Sequence, residues 1–142
     1  MFKKLMVCSA LMMINISYAK NLNNYQQVVK AINKGSGIRL VIDFSQCKTN
    51  TPNSINVIGS IKPNAVMVIK NRYVTFSDLH FTTHHPAHDG MAVYESNKFK
   101  LTPENILTMN SEVLNPTSFD SLGNKFNAEC SLNNGVSLYS VK

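Results

Sequence analysis

The chain has 142 residues, 44% of them hydrophobic, and a formal net charge of +6. A chain of this length suits a single domain around one core. Its basic residues are scattered, without the dense Lys/Arg stripe interleaved with aromatics that nucleic-acid binding uses, so no nucleic-acid partner is expected.

Residues 1–19 have a three-part layout: Lys3 and Lys4, an apolar stretch over 5–16 (LMVCSALMMINI), then Ser17-Tyr18-Ala19 with small residues where a signal peptidase reads. The stretch is shorter than the ~20 apolar residues of a membrane anchor, and polar Lys20-Asn21 follows at once. Cys8 does not suit lipid attachment, because the preceding Leu-Met-Val lacks small residues. Cleavage after Ala19 is therefore expected, with 20–142 a single domain, periplasmic or secreted, that carries no transmembrane segment. Losing Lys3 and Lys4 takes the net charge from +6 to +4. Losing Cys8 leaves Cys47 and Cys130, for which one intramolecular disulfide is expected outside the cytoplasm. No C-x-x-C spacing suggests a redox pair.

In chain order, Leu22, Tyr25, Val28 or Val29 and Ile32 recur at helical spacing. Asn23 or Asn24 caps the start and Gly35 stops it, which predicts an amphipathic helix of three turns. From Gly37 the period changes to two, with Ile38, Leu40, Ile42 and Phe44 on one face and Arg39, Val41 and Asp43 on the other. Residues 48–56 (KTNTPNSIN) read as a polar loop. Residues 57–61 and Ala65–Ile69 read as strands flanking Lys62-Pro63-Asn64, with AVMVI suited to a buried strand.

Asn71 marks a turn into a strand over Tyr73–Thr82. There Val74 and Phe76 share one parity and Leu79 and Phe81 the other, so a β-bulge at Ser77-Asp78 is expected to bring both pairs to the core and turn His80 away from it. Residues 83–90 (THHPAHDG) form a loop. Val93–Leu101 and Ile106–Leu114 form a hairpin around Pro103-Glu104-Asn105. Residues 115–124 make a second long loop, and 126–130 and 136–141 are closing strands. The fold class expected is α+β: one N-terminal helix packed on a curved, mainly antiparallel sheet of about seven strands.

All four histidines fall in one window: His80, His84, His85 and His88, with Asp89 adjacent. Neutral imidazoles ligate Zn and Cu, so a metal-binding protein or metal-dependent hydrolase built on these five residues is the alternative to a protein with no cofactor. The spacing matches no H-E-x-x-H motif, and an exposed polar loop accounts for it equally. Ser77, Asp78 and His80 sit on one strand, where neighbours alternate faces, so no catalytic triad is expected from them. There is no G-x-S-x-G elbow. Gly35-Ser36-Gly37 leaves a helix instead of opening one, unlike a phosphate loop. Asp43 reads as a strand-end acceptor, and no carboxylate pair is marked out for glycoside chemistry.

IDFSQC at 42–47, FSDLHFT at 76–82 and VYES at 93–96 resemble the VirK proteins of host-associated bacteria. The helix beginning near Tyr25 and the late Cys130 fall in matching order, so the resemblance spans most of the chain after the leader. It implies a small exported accessory protein linked to virulence or host contact, with an unidentified protein, envelope or host component as partner. It implies no established molecular activity. Cys47, Cys130 and His80 lie in or in step with the family-like blocks, whereas His84, His85 and His88 lie outside them.

Overall fold

The structure, a computed structural model, describes residues 18–51 and 55–141. The leader expected over 1–19 lies outside them except for Tyr18 and Ala19, both exposed and in no regular element. Ten strands and one helix follow in the order β1 (Lys20–Leu22), α1 (Tyr25–Asn33), β2 (Gly37–Asp43), a 3-10 turn (Phe44–Gln46), β3 (Lys48–Thr49), β4 (Ile58–Ile61), β5 (Ala65–Ile69), β6 (Tyr73–Thr82), β7 (Val93–Leu101), β8 (Ile106–Leu114), β9 (Phe126–Leu132) and β10 (Gly135–Val141).

The α+β class and the largely antiparallel sheet agree with the sequence reading; the count of about seven strands does not. One sheet holds all ten, in the order β4-β2-β10-β9-β8-β7-β6-β5, with β1 added to β10 and β3 to β9. The two strands that the residue pattern hides, β1 and β3, are three and two residues long, too short for a period to show. Because β1 precedes it, the helix is the second element and not the N-terminal one. It is also shorter than expected: Leu22 belongs to β1, and nine residues make about two and a half turns.

The sheet is rolled. Its edges are β4 and β5, which a flat path of eight strands would hold about 33 Å apart at the usual strand spacing. Yet Lys62-Pro63-Asn64 joins them directly, and so short a link reaches at most about 14 Å. The roll divides where β9 meets β10, since those two strands pair only at Gly135↔Ser131 and Val136↔Leu132. Inward residues of both halves, including Leu40, Ile42, Val136 and Leu138 from one and Phe76, Phe99, Leu107 and Cys130 from the other, join one core cluster with Val28 of the helix. AVMVI is correspondingly an edge strand rather than a buried one: Val66 and Val68 pack on the core and Met67 is exposed.

The helix covers one end of the roll. The Asn24 side chain accepts from the Gln27 N–H at 3.0 Å, and Asn105, in the β7–β8 turn, accepts from the Tyr25 N–H at 2.7 Å. Two N–H groups that the first helical turn leaves unpaired are thereby satisfied, one of them by the sheet itself. At the opposite end, loops 83–92 and 115–125, with Ile55 and Val57, surround an open mouth. The Cys47–Cys130 disulfide ties the segment after β2 to β9.

Candidate functional site

The inward parity of β6, β7, β8 and β9 stacks residues in rows. Register places Val74, Leu101, Leu107 and Cys130 in one row and Phe76, Phe99, Met109 and Ala128 in the next. One step nearer the mouth the row is Asp78, Asn97, Ser111 and Phe126, and beyond it lie His80, Glu95 and Val113. An apolar core thus gives way within one step to a polar layer, and Asp78, Asn97 and Ser111 are the buried polar residues among those described.

This arrangement rests on an unbroken β6. The pairing of β6 with β7 runs from Val74↔Leu101 to Thr82↔Val93 without a slip, so the bulge expected at Ser77-Asp78 does not form. Leu79 and Phe81 face outward and are exposed, while Asp78 takes a buried inward position and His80, on the same parity, stays exposed towards the mouth. His80 therefore does not turn away from the core side. The outward Phe81 instead meets the edge of Tyr94, at 5.6 Å between centroids, and Tyr94 stacks on Phe119 at 5.5 Å. Aromatic contacts across the outer face take the place of core burial for this ring.

Asp78 and His80 are two apart on one strand and so share a face, contrary to the expectation that alternation separates them. Asp78 Oδ2 lies 2.7 Å from His80 Nδ1, and Glu95 Oε2 lies 3.4 Å from His80 Nε2. An ionised carboxylate only accepts, which places a proton on Nδ1. Glu95 Oε1 accepts from Asn97 Nδ2 at 3.1 Å. Asn97, only 1% exposed, has a side-chain oxygen that accepts from no donor among the described residues. Ser77 faces the other way. Ser111 is two strands from β6, about 10 Å away at normal strand spacing, so neither serine reaches His80. Asp43 has the strand-end role expected of it, accepting from the Ser45 N–H and hydroxyl.

The remaining histidines separate. His84 Nδ1 lies 3.0 Å from the Thr83 hydroxyl. The rings of His85 and His88 are 5.3 Å apart at the mouth, and Asp89 is exposed on the loop beyond. His80 is held by its two carboxylates. Among the described residues, no three His, Cys, Asp or Glu side chains converge in a group that could hold a metal ion.

Between these groups lies a cavity of about 570 Å³, within the usual size range of small-molecule sites. Phe44, Met109, Val113 and Phe126 form its apolar wall, Glu95 and Ser111 its inner polar surface, and His85 to His88 and Leu122 to Asn124 its rim. Phe44 and Phe126 meet edge to face at 5.5 Å. The 115–125 loop that supplies part of the rim is pinned to β8. Leu122 N–H donates to Val113 O at 2.8 Å, and Lys125 pairs with Glu112 at 3.3 Å. The Ser121 hydroxyl, and after it Lys125, holds the Glu112 carboxyl below its ordinary range against a partial desolvation. The sequence reading missed this cavity because its inner polar residues, Glu95 and Ser111, are single positions on two different strands. The one visible signal was the parity break in β6.

Fold and site together define a rolled, barrel-like sheet with edges at β4 and β5, covered at one end by a helix and open at the other onto a mixed apolar and acidic cavity. The VirK protein family model matches residues 21–119, and the chain belongs to the VirK family. The crystal structure of a VirK family protein from Legionella pneumophila is similar at 37% identity and a TM-score of 0.78, over 84% of this chain and 98% of that one. No match was found among curated proteins.

Proposed function

We propose that this chain is an exported, non-enzymatic accessory protein, periplasmic or secreted and linked to virulence or host contact, that works by holding a small ligand in the barrel mouth. The observation that carries the binding role is the buried, unpartnered acceptor of Asn97 in the polar layer beneath an open cavity. A lone acceptor in a core costs stability, and such groups are kept where a ligand or water supplies the donor. Absence of catalysis fits a histidine with both ring nitrogens against carboxylates and no nucleophile in reach. No resident metal or cofactor belongs to this reading. Export is supported by the disulfide and by β1, which begins at Lys20, so that cleavage after Ala19 removes none of the described elements. No helix among the described residues is long and apolar enough to cross a membrane.

One measurement tests the whole reading: native mass spectrometry of untagged protein recovered from the periplasm or medium. The expected species begins at Lys20, shows the mass of one disulfide, and carries a small molecule that a cavity-filling Val113→Trp variant lacks. Recovery of the chain with Met1 intact would remove the export proposal, and identical spectra for both variants, without adduct, would remove the binding proposal.

A further inference from the structure

The charge inside the mouth runs against the charge of the molecule. The chain is basic overall, yet none of the described residues lining the cavity is Lys or Arg. Its inner surface instead presents Glu95 and Ser111; behind that lining, His80 lies between Glu95 and Asp78, and Asn97 is buried beside Glu95. Two carboxylates and one imidazole sum to a negative charge whichever state the imidazole takes. Neither ionised carboxylate has a proton to donate, and the Asn97 amide already donates to Glu95. The inner surface is therefore rich in acceptors, with the Ser111 hydroxyl as a neutral donor, and a carboxylate or phosphate head there would meet no Lys or Arg. A cationic N–H head matches it, forming charge-assisted hydrogen bonds in a partly desolvated place. The apolar wall of Phe44, Met109, Val113 and Phe126 would take a hydrocarbon or aromatic body.

We propose that the barrel mouth binds a small amphiphile with a protonated amine head, recognised by Glu95, and an apolar tail against Phe44 and Phe126. This rests on the binding role proposed for the mouth and names its ligand class.

The test uses the exported, disulfide-bonded protein and three probes of equal chain length: octylamine, octanoate and octanol. Octylamine is protonated at neutral pH as a lysine side chain is. Calorimetric titration should show octylamine binding about tenfold or more tighter than octanoate, the scale of one charge-assisted contact. Glu95→Gln, which keeps an acceptor for Asn97, should remove that preference. Val113→Trp should weaken all three probes, and melting of each unliganded variant verifies that it is folded. Octanoate binding as tightly as octylamine, or octylamine affinity untouched by Glu95→Gln, would overturn the ligand class while leaving a binding cavity. Failure of all three probes to bind the unmutated protein would overturn both.

Discussion

Asn97 and Phe99 are neighbours on the inward face of β7, each almost wholly buried, and their mutational costs should differ sharply. Phe99→Ala deletes a ring from the core and is expected to cost about 3–5 kcal/mol. Asn97→Leu removes a buried acceptor with no donor among the described residues and substitutes apolar volume, but gives up the amide bond to Glu95, so it should cost no more than about 1–2 kcal/mol while abolishing ligand binding. Chemical denaturation of the two variants checks the contrast; a loss from Asn97→Leu as large as that from Phe99→Ala would show that the polar layer is structural. At Glu112 the sign of the pH effect follows from its depressed pKa. The folded state favours the ionised form, so the stabilisation is present above the ordinary carboxylate pKa and is lost as pH falls through the depressed value. The Ser121 proton has a second acceptor in Gly123 O at 3.1 Å, but a charged carboxylate is the stronger one. In an NMR titration, Ser121→Ala should raise the Glu112 pKa more than Lys125→Ala does; the reverse order would make the ion pair the main pin of the rim loop.

At the scale of elements, the β9–β10 corner is where the roll turns, and Gly135 sits in it at φ +100°. A Cβ there would meet Cys47 Sγ at 3.0 Å and Gln46 O at 3.2 Å. Gly135→Ala combines a disfavoured backbone angle with crowding against the disulfide and should cost about 1–3 kcal/mol; an unchanged melting temperature would mean the corner yields freely. Such corners are invisible in a residue pattern, whereas period was legible wherever a strand was long. The bounds of β5, β6, β7 and β8 follow from alternation and turn residues alone. Alternation failed at Leu79 and Phe81, where it was read as a bulge on the premise that apolar residues must face the core. The premise broke because Asp78 and His80 hold the inward parity, and local rules are commonly broken where a site has been built. The four histidines show a related effect: closeness along the chain does not gather all four rings when His80 lies on a strand and His84, His85 and His88 on a loop.

For the whole molecule, the disulfide joins the two halves of the roll beside their narrow contact. Cys47 follows the 3-10 turn that carries Phe44, and Cys130 lies on the strand that begins with Phe126. The bond therefore holds together the two aromatic walls that meet in the cavity. With its ends 83 positions apart in the sequence, it restricts the unfolded chain by about 4–5 kcal/mol in the loop-entropy account. The net stability of a small domain is only about 5–15 kcal/mol, so this one bond is a large part of the total. Cys47→Ser should lower the denaturation free energy by a few kcal/mol, and reduction of the unmutated protein should reproduce the loss. Because the walls share the constraint, affinity for an amine probe should fall in the same variant under conditions where it remains folded. Equal stability of oxidised and reduced protein would show that the halves are held by packing alone, and unchanged affinity would uncouple the cavity from the bond that spans it.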